Sequence, residues 1–187
     1  MLRRVLVAAV LAMGCLAAPA GAGAQPAGAW LDVPFVAQQK DGCGAASIAM
    51  VMQYWQRQQG KPLTVDPEEI QRALYMPRAH GIYASAMGRY LQQHGFRTFA
   101  FAGRWEDLKN HLMKGRPLIV ALKPGRGEIH YVVVVGLDEA QSVVLKNDPA
   151  ERKLLKQDRS YFEKEWKAAG HWTLLAVPQP ENRGSLP

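Results

Sequence analysis

The order of local signals along the chain predicts an α+β fold with a mostly antiparallel sheet. Helix-type patterns fill the first half, and apolar, β-branched runs fill the second. The connections between neighbouring segments are short, which favours helices grouped against a sheet of sequentially paired strands over alternating βαβ units.

The elements follow in order. Leu31 to Val36 is a short extended segment, with Pro34 marking an edge. Cys43 to Gln59 predicts a helix, since Ala46, Ile48, Ala49, Met52 and Trp55 recur at helical spacing and Gly60 supplies a stop. Asp66-Pro67-Glu68-Glu69 opens a second helix running to about Tyr75, with Asp66 as N-cap and Pro67 in the first turn. Further helices are predicted from Ala84 to His94 and from Trp105 to Lys114, each closed by a glycine. Arg97 to Phe101 alternates like a short strand. Then come strands at Pro117–Leu122, His130–Leu137 and Ser142–Asn147. Ser160-Tyr161-Phe162-Glu163 has the form of a capping box and opens a helix ending near Gly170, and His171 to Val177 is the last strand.

The first 24 of the 187 residues have the layout of a secretory signal peptide. Arg3 and Arg4 form a basic start, an apolar run extends from Val5 to about Ala18, and Ala22-Gly23-Ala24 is an A-x-A cleavage signature. The apolar run is shorter than the roughly 18–20 residues a spanning helix needs. The expected destination is the periplasm or the extracellular space. Membrane attachment would follow only from retention of this run as an anchor or from lipidation of Cys15, where Ala12 replaces the usual leucine. Arg3-Arg4 is also the pair that opens a twin-arginine signal. Cleavage leaves residues 25–187, the size of one domain. That domain is expected over residues 25–177, with a flexible, polar, proline-containing tail over 178–187.

The formal charge falls from +7 to +5 on cleavage, because Arg3 and Arg4 leave and no acid does. The remaining basic residues are interspersed with acids, as in Glu151-Arg152-Lys153 and Glu163-Lys164-Glu165. That pattern is a solvated surface and argues against nucleic acid as a partner. The histidines have no metal-ligand spacing, so no metal or other cofactor is expected.

The mature chain holds a single cysteine, Cys43, which cannot form an internal disulfide. It is a partner-linked, an inert buried, or a reactive thiol. Cys43 sits between the polar Gln38-Gln39-Lys40-Asp41-Gly42 and the small residues Gly44, Ala45 and Ala46, at the start of a predicted helix. The unpaired N–H groups at such a start carry partial positive charge and suit a thiolate nucleophile.

A nucleophilic thiol needs a base. His80, His94 and His111 lie in polar helix and loop segments. His171, at the head of the last strand, is the weaker alternative. His130 is the better candidate, because it follows the loop Gly125-Arg126-Gly127-Glu128 and opens the strand Tyr131–Val135. If 130–137 and 142–147 form a hairpin in which 137 faces 142, His130 lies opposite position 149, with Asp148 its neighbour to within a residue. Asp148 could then orient the imidazole, as in a catalytic triad. Asn147-Asp148-Pro149 also reads as a turn. Gln38, five residues before the cysteine, could join the Cys43 N–H in stabilising an oxyanion, and spacing alone does not separate Gln38 from Gln39.

Three segments then carry a family resemblance: VPFVAQQKDGCGAASIAMVMQYW (33–55), HYVVVVGLD (130–138) and VLKNDPA (144–150). In order and spacing they resemble the bacteriocin-processing, double-glycine leader peptidases of the papain-like clan, and more closely that family's stand-alone exported relatives. The resemblance implies a papain-like fold with N-terminal helices on an antiparallel sheet. It also implies Cys43 as nucleophile, His130 as base, Asp148 as its orienting carboxylate and Gln38 at the oxyanion. Transporter-borne members precede a membrane-spanning ABC exporter. This chain has no further hydrophobic segment and no phosphate-binding glycine loop with Lys-Ser/Thr, so no use of ATP is expected. The expected partner is a peptide or protein substrate, with association to an export or envelope system. An amidase or transpeptidase using the same residues, or a non-catalytic peptide-binding module, are the alternative readings.

Overall fold

The computed structural model describes residues 30–180. The expected signal peptide, Cys15 and the last part of the expected tail lie outside the described residues. Among the described residues, five helices and six strands follow in the order α1 (Cys43–Gln58), α2 (Pro67–Leu74), α3 (Ala84–Gln93), β1 (Phe96–Ala102), α4 (Trp105–Leu112), β2 (Leu118–Leu122), β3 (His130–Asp138), β4 (Val143–Asn147), β5 (Leu155–Asp158), α5 (Arg159–Ala168) and β6 (Trp172–Pro178), with a 3-10 turn at Pro77–Ala79. The strands form one sheet in the order β1-β6-β2-β3-β4-β5. Every neighbouring pair is antiparallel.

Both faces of this sheet are covered, which explains why its central strands are apolar at every position rather than at alternate ones. Ile119, Ala121, Tyr131, Val133, Val135 and Leu174 pack toward α1 and α3, together with Ile48, Met50, Val51, Met87 and Leu91. The intervening residues Leu118, Val120, Leu122, Val132, Val134, Val144 and Leu175 pack toward α4 and α5, against Trp105, Leu108, Phe162 and Trp166. α1 is buried on nearly all sides of its first three turns, as a central helix must be when it is apolar around its circumference.

Four local expectations are corrected by the structure. The segment from Leu31 forms no strand, and joins β3 only through the bridge Trp30–Gly136 and the bond from Leu31 N–H to the Val135 carbonyl (2.8 Å). β5 is an additional edge strand that pairs with β4. Ser160 does not cap α5, whose cap position is two residues earlier at Asp158, and Glu163 accepts instead from Arg159 Nε at 2.9 Å. The four-residue β3–β4 turn is also displaced by one position, to 139–142, so that Leu137 faces Val144, and a bulge between Val134 and Gly136 shifts the register so that Val133 faces Asn147. At the C-terminal edge, β6 includes Pro178, and Gln179 N–H donates to the Gly95 carbonyl at 2.8 Å.

Candidate active site

Cys43 is the first residue of α1, and the cap residue before it, Gly42, offers no side chain to the helix end. The first-turn N–H groups therefore keep their partial positive charge next to the sulfur. The preceding loop is tightly closed. Gly42 N–H donates to the Gln39 carbonyl at 3.0 Å, and a Cβ at position 42 would lie 2.9 Å from that same oxygen. Only glycine fits there. Asp41 takes a left-handed conformation (φ 57°). It is held by α2: its carboxylate accepts from the Tyr75 hydroxyl (3.1 Å) and its carbonyl from Gln71 Nε2 (3.4 Å).

His130 opens β3, where it pairs with Leu122 of β2. One ring nitrogen, Nε2, lies 2.7 Å from Asp148 Oδ1. Cys43 interacts with the same ring and favours its charged form, and with Nε2 taken up by Asp148, Nδ1 is the nitrogen left for the sulfur. Asp148 follows β4 in a turn fixed from several sides. Its Oδ1 also accepts from Ala150 N–H (3.1 Å), and its Oδ2 lies 3.1 Å from the Lys146 ammonium. Asn147 donates to the Val33 carbonyl (3.1 Å) and accepts from Leu154 N–H (3.0 Å). Gln38 N–H donates to the Pro149 carbonyl (2.9 Å). The turn that carries Asp148 is thereby stitched to the strand of chain that leads into Cys43. Ser47, one turn into α1 from Cys43, adds a further tie by donating to the Tyr131 carbonyl at 3.2 Å.

This arrangement sets the charges. Burial alone would lower the His130 pKa, but the hydrogen bonds to Asp148 and Cys43 and their charges override it and raise the value to about 9. Burial would raise the Asp148 pKa, yet His130 and then Lys146 hold the carboxyl below its ordinary range. Tyr131 is pushed up to about 12 by burial and by the charge of Cys43 beside it. The imidazole is therefore cationic at neutral pH, between a carboxylate on one nitrogen and the cysteine on the other.

A cleft of about 450 Å³ opens beside Cys43, lined by Ile82, Tyr83, Ile129 and Tyr131 with Arg78, His80, Lys123 and Glu128 around them. Among the described residues no group of three or more His, Cys, Asp or Glu side chains could hold a metal ion, and no helix is long and apolar enough to cross a membrane.

The structure thus brings Cys43, His130 and Asp148 together. Gln38 is half-buried and borders a small cavity with Ala45 and Ala46 of the first turn of α1. Its Oε1 is buried without a partner among the described residues. Gln39 is exposed and turns away to Glu68 Oε1 at 3.5 Å. His171 sits edge-on against Trp166 at 5.0 Å, bordering a groove with Trp105, away from the cysteine. His94 stacks on Tyr90, and His80 lies on the rim of the Cys43 cleft. Two contributors escape the sequence reading. Ser47 is a polar residue within the otherwise apolar start of a central helix, and Lys146 is a lysine inside a strand buried at every position. In both cases a polar side chain within an apolar element was the available signal.

No curated protein matches the chain. Among solved structures, the fold is shared with a double-glycine motif protease from an AMS/PCAT transporter in complex with the leader peptide, at 24% identity and a TM-score of 0.63, covering 80% of this chain and 94% of that one. It is shared with a protein described as a C39-like peptidase from Bacillus anthracis, at 20% identity and a TM-score of 0.60, covering 82% and 100%. It is shared also with the peptidase domain of Streptococcus ComA, a bi-functional ABC transporter involved in a quorum-sensing pathway, at 21% identity and a TM-score of 0.62, covering 78% and 98%. Residues 30–174 match the model of the Peptidase_C39-like family, which spans both the cysteine helix and the histidine–aspartate hairpin; the chain belongs to that family.

Proposed function

We propose that the protein is a cysteine peptidase that hydrolyses peptide bonds through Cys43, His130 and Asp148. The observation that carries this reading is the convergence in which Asp148 Oδ1 lies 2.7 Å from His130 Nε2 while Cys43, at the α1 N-terminus, acts on the same ring. In this mechanism the Cys43 sulfur attacks the scissile carbonyl carbon, and the carbonyl oxygen becomes an oxyanion. The Cys43 N–H and the Gln38 side-chain amide stabilise that oxyanion. The C–N bond breaks as His130 gives its Nδ1 proton to the leaving amine. Water then attacks the thioester, His130 takes its proton, and the acid product leaves with return of the thiolate. Asp148 stays ionised throughout and holds the ring in one orientation.

The substrate we propose is a peptide or protein precursor, met outside the cytoplasm after residues 1–24 have directed export. Family membership and the apolar cleft support a peptide substrate, and the leader-peptide complex of the AMS/PCAT protease is a precedent within the same fold. An association with an export or envelope system fits the same setting. The test is digestion of a peptide library by the wild type and by Cys43→Ala, with products identified by mass spectrometry. Products formed only by the wild type are expected, and their flanking residues define the subsites. Identical product sets would remove the peptidase reading.

A further inference from the structure

Lys146 occupies a place where a lysine is costly. It lies in β4 between Leu145 and Asn147, with all five residues of the strand buried, and its side chain retains only 7% exposure. An ammonium withdrawn from water must be paired with a counter-charge. That counter-charge is Asp148, whose side chain is 6% exposed and whose Oδ2 lies 3.1 Å from the ammonium. The two carboxylate oxygens are thus divided between two partners, Lys146 on Oδ2 and His130 on Oδ1.

We propose that Lys146 is a positioning residue for the cysteine–histidine couple: its ammonium fixes the plane of the Asp148 carboxylate and offsets part of the charge that Asp148 exerts on His130. This inference rests on the peptidase reading for its catalytic meaning, but not for its physical test. A lone buried carboxylate against the imidazole would stabilise the imidazolium so strongly that proton transfer to a leaving amine is disfavoured at neutral pH. A second cation on the far oxygen weakens that hold without breaking the bond. Lys146 acts on Asp148 directly, helping to hold its carboxyl below the ordinary range, and would reach His130 through that carboxylate.

The other groups around Lys146 leave it as the moderating charge. β4 packs against β3, β5 and α5. β3 supplies His130. On β5, Leu155 faces Lys146 directly and Gln157 faces Val144. Gln157 is engaged by Glu165 of α5 at 2.7 Å, and Glu163 of α5 is engaged by Arg159. Arg152, whose carbonyl accepts from Asp148 N–H, has an exposed side chain.

The test is an NMR titration of the His130 ring in the wild type, Lys146→Gln, Lys146→Met and Lys146→Arg, with peptide cleavage followed across pH in the same samples. Gln removes the charge but can still donate to Oδ2, so it is the deciding variant and keeps the carboxylate satisfied where Met leaves it bare. The His130 midpoint is expected to rise by about 0.5–1 pH unit in Lys146→Gln and to return to within about 0.2 unit of the wild type in Lys146→Arg. The alkaline limb of cleavage should move up with it, and kcat near neutrality should fall by about tenfold while KM stays nearly constant. An unchanged midpoint in folded Lys146→Gln overturns the proposal, because a merely structural lysine would alter stability and leave the titration in place. If wild type shows no Cys43-dependent cleavage but the midpoint still shifts, the peptidase reading fails and the electrostatic role of Lys146 stands.

Discussion

The two faces of the sheet are held in different ways. On the α4–α5 face, Trp105, Leu108, Phe162 and Trp166 close over Leu118, Val120, Val132, Val134 and Val144. The contact there is mainly apolar and is tied through α5, by Trp166 Nε1 to the Trp172 carbonyl (3.2 Å) and Gln157 Nε2 to Glu165 (2.7 Å). On the α1 face the apolar packing is equally dense, and polar ties cross it as well. Ser47 bonds the Tyr131 carbonyl, Tyr54 the Gly115 carbonyl (2.8 Å), Trp55 the Ala176 carbonyl (3.0 Å), and Asn147 the Val33 carbonyl. Hydrophobic burial is strong but non-directional, so it fixes that a helix lies on a sheet more firmly than at which residue. Hydrogen bonds of defined length fix the register. Both faces carry such bonds, and on the face that must hold a sulfur against an imidazole they tie α1 and the turn of Asp148 to their neighbours.

The comparison can be broken from either side. The largest effect is expected at the chemistry itself: Cys43→Ala should lower cleavage by about 10³-fold or more with little change in Tm, as read by peptide hydrolysis and thermal melts. Asp148→Asn should come next, with kcat lowered by about 10²–10⁴-fold. Its pH profile carries the sign. His130 is raised to about 9 with Asp148 as a cause, so the active imidazolium persists below that value and is lost as pH rises through it. Without the carboxylate charge the alkaline limb should move down toward the ordinary histidine range near 6.5.

On the opposite face, Phe162→Ala should cost about 3–5 kcal/mol of stability by leaving a cavity beside Trp166, measured by urea unfolding. The pH limbs of the folded fraction should stay where they are. Ser47→Ala should be milder, about 1 kcal/mol in stability. Unlike Phe162→Ala, it should reduce kcat several-fold, because it loosens the tie between α1 and the strand that His130 opens. The smallest effect is expected at Asp66, whose carboxylate caps α2 by accepting from Glu68 N–H at 2.8 Å. Asp66→Ala should cost about 1 kcal/mol and leave the pH profile untouched.

Much of the site was legible in the sequence because its pieces sit at the ends of strongly patterned elements. Cys43 stands where a polar, glycine-containing loop meets an apolar helical run, and His130 where a similar loop meets a β-branched run. The hairpin count reached Asp148 by a route that was wrong in detail. The real turn is displaced by one position, to 139–142, so Leu137 faces Val144 instead of position 142, and the bulge at Val134–Gly136 gives back one residue. Continued to the strand end, that register places His130 opposite Ala150, with Asp148 on the diagonal. Diagonal neighbours across an antiparallel pair lie roughly 7–8 Å apart, within reach of two long side chains meeting halfway.

What escaped has equally physical reasons. β5 is half-buried and reads Leu-Lys-Gln-Asp, too polar to look like a strand, because it is the sheet's edge and charged side chains protect such edges. The choice between Gln38 and Gln39 depends on which way a loop turns, and the loop is fixed by Asp41 and α2, some 30 residues away. Lys146 does not stand out in the sequence because a lysine in a short strand suggests a solvent face. Its burial becomes intelligible only once Asp148 is placed beside it.

The central claim is that Cys43 reacts as one half of a couple with His130. It is tested most directly by the rate at which iodoacetamide alkylates Cys43 near pH 6, in the wild type and in His130→Ala. The account predicts rapid alkylation of the wild type and a rate lower by at least about tenfold in the variant. Equal rates in the two folded proteins would contradict it.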